Sequence, residues 1–488
     1  MEYSEMLKAK QVLRFGEIKM RFSNSLQIFS GIVPIVLACT LIFISHAMAQ
    51  NSQSEKPDPN NSTVIYDMKK CIDRGLEVSP RLQAAEYKMQ KAASERKGAR
   101  SRFFPDLSAS ASYQDLNSIE AVGPTDQDYI DQTIGIYSVR LSQTLFAGFT
   151  VFNSLQKAKL KKQLARAQKK QTQMKLIQQI QYNFLELQKA KQEIGSLEQT
   201  IERLQVNYES AKSYFDVKMA PYMQVLQAEV DLSDAEQKLS KAKNKKKKYK
   251  TQLNILLDLS DKEQVRYAGG LEKVSSQFKK ELQECLDYAL DNRPQLRVSK
   301  KSLKMAKEEV DIAQGKFYPR VNADFNYYVR DNDYTEPRTR TIGNQTLEQS
   351  RDQKNTYWSA SVKLQWKFNT AGKEYYQYES ASYEVLRMEQ KLKQTVNQVK
   401  TQVKTSYSSL KEARSRIKST QKALEGAQEN YNRARKRLEN EMGTIPQVLD
   451  AQARLRRAEA NYNQALADYK ISLAQLYYSM GKKKDLLK

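Results

Sequence analysis

Four stretches of the chain alternate apolar and polar residues at every second position, the period of a strand with one apolar face. In 107–114, Leu107, Ala109, Ala111 and Tyr113 alternate with Ser108, Ser110, Ser112 and Gln114. In 137–145, Tyr137, Val139, Leu141 and Leu145 alternate with Ser138, Arg140, Ser142 and Thr144. In 321–330, Val321, Ala323, Phe325, Tyr327 and Val329 share one side, and Asn322, Asp324, Asn326, Tyr328 and Arg330 the other. The last run places Trp358, Ala360, Val362, Leu364, Trp366 and Phe368 opposite Ser359, Ser361, Lys363, Gln365 and Lys367. Strands are therefore predicted after Pro105 and Pro319 and before Gly148 and Gly372. Trp358 and Trp366 are the only tryptophans and lie eight residues apart. At a strand's rise this is about 26 Å, a spacing that would mark the two girdles of a lipid-facing band. Phe368 and Tyr137 join the expected lipid-facing aromatics. The polar stretches 115–135 and 331–355 read as exposed loops. Alternation alone equally allows a soluble sandwich with one wet face. Four strands cannot close a barrel, since the smallest has about eight. They must pack on helices or be pooled among several chains.

A different period governs the rest. From Ala147 to Met219 there is no proline. Phe184, Leu187, Ala190, Ile194, Leu197, Ile201, Leu204, Tyr208, Ala211 and Phe215 recur mostly in steps of three and four, near the 3.5 residues of a coiled-coil seam. A helix of about 70 residues would be roughly 100 Å long. The pattern returns from about Thr370 to Asn440, each time followed by a turn and a second helix. A seam this narrow fits a bundle and equally a hollow cylinder whose helices need only lateral neighbours.

The chain contains its own copy. The segment from Ser79 matches that from Arg293 without a gap at an offset of 214, pairing Pro80 with Pro294, Leu82 with Leu296, Phe103 with Phe317 and Pro105 with Pro319. Cys71 and Cys285 share that offset. The segment from Asn207 matches that from Asn430 at an offset of 223. Beyond residue 59 every proline falls into a pair: 80 with 294, 105 with 319, 124 with 337 and, approximately, 221 with 446. Proline interrupts helices and central strands, so paired prolines mean paired element boundaries. Each copy should run helix, strand, loop, strand, very long helix, turn, long helix.

Residues 26–45 form an apolar run after Arg21, followed by Ala47 and Ala49 in the small-x-small pattern of a signal-peptidase site. Residues 1–49 are accordingly read as an export signal, with Met20 an alternative start and Gln50 the first mature residue. A leader, 50–63, precedes the two copies at 64–269 and 270–481, and a basic tail closes the chain at 482–488. Cys39 after Ala38 would permit lipidation, but the apolar run continues past it. After residue 50 no stretch approaches the ~18 apolar residues of a spanning helix, so a mature chain crossing a membrane must do so as strands.

The formal charge of +25 invites a nucleic-acid reading, with a dense lysine run from Lys238 to Lys250. No zinc spacing, aromatic RNA-reading motif or phosphate loop accompanies it. A solvated helix face is the plainer account, with an anionic partner or an anion-favouring lumen as the alternatives. His46, the single histidine, lies in the signal. Histidine-based acid–base chemistry, nucleophilic dyads and histidine metal sites are thereby removed from the mature chain, and no paired-carboxylate motif replaces them. No enzyme and no cofactor is expected. Two mature cysteines do not make a disulfide framework and read as small buried apolar residues.

The aromatic-Pro strand openers Phe103-Phe104-Pro105 and Phe317-Tyr318-Pro319, and the tip motifs Met219–Leu232 and Met442–Leu455, resemble those of the TolC family of outer-membrane efflux proteins. The resemblance spans about residues 64–481. It implies a mainly α fold with a β-barrel part: a homotrimer whose twelve pooled strands form one barrel in outer-membrane lipid, above a periplasmic α-barrel of twelve helices. It implies passive conduction from an inner-membrane transporter (RND, ABC or MFS type), through a periplasmic adaptor or membrane fusion protein, in efflux or type I secretion. The turns at 217–222 and 440–446 would form the tip. Met219, Ala220, Pro221, Met442 and Gly443 are then the docking residues, with Ala220 replacing the glycine that the second copy keeps at Gly443. Asp450 matches one position of the family's constricting aspartates, Gln447 occupies the companion position, and Gln227 is the first copy's equivalent of Asp450. A tyrosine–arginine latch is not evident around Asn440–Pro446, so a less acidic, differently latched tip is expected. The competing reading is a periplasmic coiled-coil adaptor or scaffold without a barrel, although no lipoyl-like domain interrupts a hairpin. Export argues against a nucleic-acid partner.

Overall fold

A computed structural model describes residues 64–121, 127–260, 265–269, 278–334, 338–342, 345–349, 353–368, 371–440, 442 and 445–482. The presumed signal and leader, Pro124, Pro337, Gly443 and the basic tail from 483 onward lie outside the described residues.

The first copy runs β1 (Val64–Tyr66), α1 (Met68–Val78), α2 (Pro80–Ser101), β2 (Asp106–Ala121), β3 (Gln127–Ala147), α3 (Thr150–Asp216) and α4 (Tyr222–Leu257). The second runs β4 (Val265–Tyr267), α5 (Leu282–Asn292), α6 (Pro294–Gln314), a 3-10 turn at Gly315–Phe317, β5 (Arg320–Tyr334), a hairpin of β6 (Arg338–Ile342) and β7 (Gln345–Gln349), β8 (Gln353–Gln365), α7 (Lys373–Glu439) and α8 (Ile445–Met480). The duplication extends to length: α3 and α7 both have 67 residues, and α4 and α8 both have 36. Each long helix is thus about 100 Å. Pro80 and Pro294 open α2 and α6 in the first turn, where proline's missing N–H costs nothing. Asp67 caps α1 by accepting from the Lys70 amide at 2.7 Å.

The four main strands form one antiparallel sheet in the order β2-β3-β5-β8. The helices that follow or precede them keep that order, α2 beside α3, α3 beside α6 and α6 beside α7. Farther along, α4 and α8 flank α3, and α8 packs against α7. One lateral edge is therefore β8 with α7, and the other is β2 with α2 and α4.

Two cores sit part-way down the long helices, one per copy. Cys71 and Ile72 of α1 pack with Ile180 and Phe184 of α3, Leu253 and Leu257 of α4 and Tyr267 of β4. Cys285 of α5 packs with Leu296, Val399, Val403, Tyr469 and Leu476 of α6, α7 and α8. The parallel pair β1–β4 ties the start of one copy to the start of the other. Both cysteines are free and buried; desolvation pushes the Cys71 thiol up to about 12. Of the expected seam, Phe184, Leu187, Ala190 and Ile194 are buried, whereas Phe215 near the turn is 39% exposed.

Strand boundaries differ from expectation at both expected loops and at the end of β8: in 331–355, β5 runs on to Tyr334, β6 pairs with β7, and β8 begins at Gln353. The β2–β3 hairpin continues through most of the polar stretch expected to be loop, with Asp115 opposite Thr133 and Ala121 opposite Gln127. Ladder hydrogen bonds do not depend on apolar side chains, so pairing outruns the alternation. At the other end, β8 stops at Gln365, leaving Trp366 and Phe368 just beyond it.

Candidate functional site

The register aligns all four alternations on one side of the sheet. Leu107 lies opposite Leu141, Leu141 opposite Phe325 and Phe325 opposite Ala360. The next row is Ala109, Val139, Tyr327 and Trp358, and the next Ala111, Tyr137, Val329 and Thr356. This apolar face is open: Leu107 is 73% exposed, Val362 69% and Trp358 67%. A contiguous apolar face of this kind is not a surface for water. From Val321 to Val329 it runs about 26 Å along the strand, comparable, once tilted, with the ~25 Å apolar band of an outer-membrane barrel. Asp331, opposite Lys354, ends it.

The opposite face is polar. The Ser110 and Ser138 hydroxyls lie 2.8 Å apart, Arg140 Nε donates to Asn326 Oδ1 at 2.7 Å, and Asn326 Nδ2 reaches the Ser359 hydroxyl at 3.5 Å. Apolar outside and polar inside is the pattern of a barrel around water.

Trp358 stacks on Phe325 with centroids 6.1 Å apart, and the Tyr137 row lies between it and the strand tips. Trp366 instead joins the strand–helix junction: its indole N–H donates to the Phe317 carbonyl at 3.0 Å, and its ring lies 4.7 Å from Phe368. The pair therefore does not bracket the band symmetrically. Phe104, Phe149, Tyr318 and Phe368 are all exposed around this junction, and the alternation identified only part of this set. The aromatic-Pro pairs were the available signal for the rest.

At this junction Gly148 (φ +58°) and Phe149 (φ +63°) turn the chain from β3 into α3, and Gly372 (φ +71°) does the same before α7. Gly148 and Gly315 touch backbone to backbone: a Cβ on Gly148 would stand 2.1 Å from the Gly315 carbonyl oxygen.

At the far end of the helices, α3 closes in a Schellman turn. Lys218 (φ +61°) donates its amide to the Phe215 carbonyl at 2.8 Å, and Met219 donates to Tyr214 at 2.8 Å. The second copy repeats the outer bond, Met442 to Arg437 at 2.8 Å. Met219 and Met442 are 78% and 71% exposed, and Pro221 precedes α4. Tyr214, Tyr222 and Met223 add to an exposed apolar tip that the seam pattern did not single out. Asp450 is ion-paired: Oδ2 accepts from Arg454 Nε at 2.9 Å, and Oδ1 lies 3.6 Å from Arg203 of α3. Gln227 donates to Asp231 at 3.2 Å, and Gln447 is exposed on α8. Among the described residues no helix is long and apolar enough to cross a membrane.

The comparisons agree with this geometry. The chain superimposes on the outer-membrane channel CmeC of Campylobacter jejuni with a TM-score of 0.67 at 16% identity, covering 86% of this chain and 87% of that one. It matches the outer membrane protein VceC of Vibrio cholerae at 0.65 and 15% identity (85% and 96% covered). The open state of the MtrE outer membrane channel of Neisseria gonorrhoeae matches at 0.64 and 16% identity (85% and 89% covered). No curated protein sequence gives a significant match. The sequence model of outer membrane efflux proteins matches residues 71–257 and 285–482, once per copy and well over half of the chain. The chain therefore belongs to the outer membrane efflux protein family, the TolC-like channels of the outer membrane.

Proposed function

We propose that three copies of the chain close edge to edge into one passive exit duct. Their pooled strands would form a twelve-stranded barrel in outer-membrane lipid, and their helices a periplasmic tube. The observation that carries this reading is the four-stranded sheet itself: one face apolar and open, the other polar, and, among the described residues, no strand paired to the outer edges of β2 and β8. Such edges are aggregation hazards unless another copy pairs with them, and an apolar face of this height is stable only against lipid. The duct would receive substrate from an inner-membrane transporter of RND, ABC or MFS type through a periplasmic adaptor. Adaptor docking is assigned to the turns that carry Met219, Ala220 and Pro221, and Met442 and Gly443, where Met219 and Met442 are exposed; methionine-rich apolar surfaces adapt readily to a partner. Asp450 would act at the constriction as a carboxylate neutralised by Arg203 and Arg454, and Gln447 and Gln227 would leave the rest of that ring uncharged. Trp366, Phe368 and Tyr137 are assigned to aromatic girdles and Trp358 to the body of the band. Export would remove residues 1–49, leaving the repeats at 64–269 and 270–481.

The test compares neighbouring residues of β8. Trp358→Lys puts a charge on the lipid face, which costs about 2–4 kcal/mol near the midplane of a barrel, and three copies carry it. Ser359→Lys puts the same charge on the polar face. Loss of heat-modifiable trimers and of single-channel conductance in Trp358→Lys alone is the expected result. Equal behaviour of the two, or recovery of the unaltered chain as a soluble periplasmic protein, would favour the scaffold reading instead.

A further inference from the structure

A cleft of about 610 Å³ opens where strands give way to helices. Four cations line it, Arg102, Lys316, Arg320 and Lys367, against two carboxylates, Asp106 and Glu374. They come from the ends of α2 and α6, the starts of β2 and β5, the residues after β8 and the first turn of α7.

The register says which side of the sheet this is. Arg320 lies opposite Gln365, and Asn322, one step along the same face, lies opposite Lys363. Arg320 and Gln365 line the cleft and belong to the polar face that carries Asp324 and Asn326. That face cannot be the lipid face, because Val321 and Leu364, which alternate with them, lie on the apolar side. The cleft therefore opens on the water-filled side. Farther up the same face, as far as Arg330, the one carboxylate Asp324 stands against Lys363, Arg140 and Arg330 among the described residues; Arg140 is bonded to the neutral Asn326 amide, and in the cleft Lys316 is bonded to the neutral Gln377 amide at 2.8 Å. Two rings also line the cleft, Phe104 at 60% and Tyr318 at 49% exposure. Guanidinium and ammonium groups beside aromatic rings hold an anion that has a flat apolar part.

We propose that this cleft is an anion-collecting collar at the base of the barrel lumen, which favours anions over cations in transit and holds aromatic sulfonates or carboxylates at Arg102, Lys316, Arg320 and Lys367. The collar deepens the exit-duct reading and rests on it. In a threefold ring it is repeated three times around one passage, and a low-dielectric wall with a net excess of one sign concentrates the opposite ion.

The test is the reversal potential of single channels of the full chain in a potassium chloride gradient, with the unaltered protein, Arg320→Glu/Lys367→Glu and the milder Arg320→Gln/Lys367→Gln. The unaltered channel should prefer chloride. The glutamate pair should lose or invert that preference, the glutamine pair should fall between, and block by benzenesulfonate should weaken in the same order. Conducting channels whose selectivity and sulfonate block are the same in all three overturn the collar while leaving the duct intact. Proteins that insert but never conduct overturn the duct and the collar with it. Repeating the series in phosphatidylcholine and in phosphatidylglycerol bilayers separates solute from lipid headgroup. A shift that occurs only in phosphatidylglycerol places the anion in the membrane and overturns the lumenal assignment.

Discussion

Replacing Gly148 by alanine should damage this fold far more than its single added methyl suggests. At φ +58° a side chain is strained whatever space it has, at about 1–2 kcal/mol for a left-handed L-residue. Here there is no space either. The new Cβ would stand 2.1 Å from the Gly315 oxygen and 2.8 Å from its carbonyl carbon, and backbone cannot swing away as a side chain tip can. Forcing the two segments apart adds about 1–3 kcal/mol, for a total of roughly 2–5 kcal/mol. Gly195, inside α3, supplies the control, since nothing lies within 4 Å of its virtual Cβ. Gly195→Ala should gain about 0.5–1 kcal/mol from helix propensity. Urea midpoints of the purified protein in detergent, read by far-ultraviolet dichroism at one protein concentration, compare the two. Gly315→Ala presses on the same contact from the other side, 2.4 Å from the Gly148 oxygen. The double variant should therefore cost less than the sum of the singles, because the junction is opened only once. If Gly148→Ala behaves like Gly195→Ala, or if the double is strictly additive, the backbone contact is not what closes the junction.

Cys71 and Cys285 should resist alkylation by iodoacetamide at pH 8 in the folded protein and react once it is unfolded in urea. Burial raises both thiols, Cys71 to about 12, so little thiolate exists to react; labelling of the native chain at the rate of an exposed thiol would contradict the packing. Asp468 of α8 joins the copies by accepting from Lys189 of α3 at 2.8 Å and from Arg416 of α7 at 3.1 Å. Asp468→Asn should lower stability by about 1–2 kcal/mol, and Lys189→Met in that background should cost less than in the unaltered chain. Equal costs in the two backgrounds would remove the pair from the account.

Some of this architecture was legible because its signal is local and periodic. Side chains alternate in a strand whatever the partner, so Trp358, Ala360 and Val362 declared their common face without a neighbour in view. The repeat was legible because Pro80 and Pro294, or Pro105 and Pro319, mark the same boundaries twice. What depends on pairing was not. The β2–β3 ladder beyond Asp115 is held by backbone hydrogen bonds, which leave no apolar mark. Asp450 was legible as a candidate constricting carboxylate but its partner Arg203 was not, because the rotation that brings α8 alongside α3 is not contained in a 3.5-residue period. The cleft cations are scattered from Arg102 to Lys367, and only the sheet order brings the starts of β2 and β5 to the end of β8. Trp366 looked like one more strand residue because alternation runs on past Gln365, where the chain has already begun its turn toward α7.

The copies are equal in length yet not in surroundings, and the difference supports closure by further chains. Gly148 ends the β-region of the first copy and meets Gly315 of the second. Gly372 ends the β-region of the second copy in the same left-handed conformation, yet its virtual Cβ meets only the ring of Tyr376, on its own helix. At the offset of 214 that relates α2 to α6, the residue equivalent to Gly315 is Ser101, at the end of α2 on the other lateral edge of the molecule. In the proposed ring, the contact that Gly148 makes within the chain is one that Gly372 would make with another copy. Among the described residues, the outer ladders of β8 and β2 have no strand partner, and the outer flanks of α7 and of α2 with α4 fall on the same two edges. Strand pairing, helix packing and the glycine junction are all left incomplete along the same pair of edges, and one edge-to-edge operation would satisfy all three. A ring of copies, as proposed, would require these three kinds of contact to be left open in register, and a soluble scaffold would not.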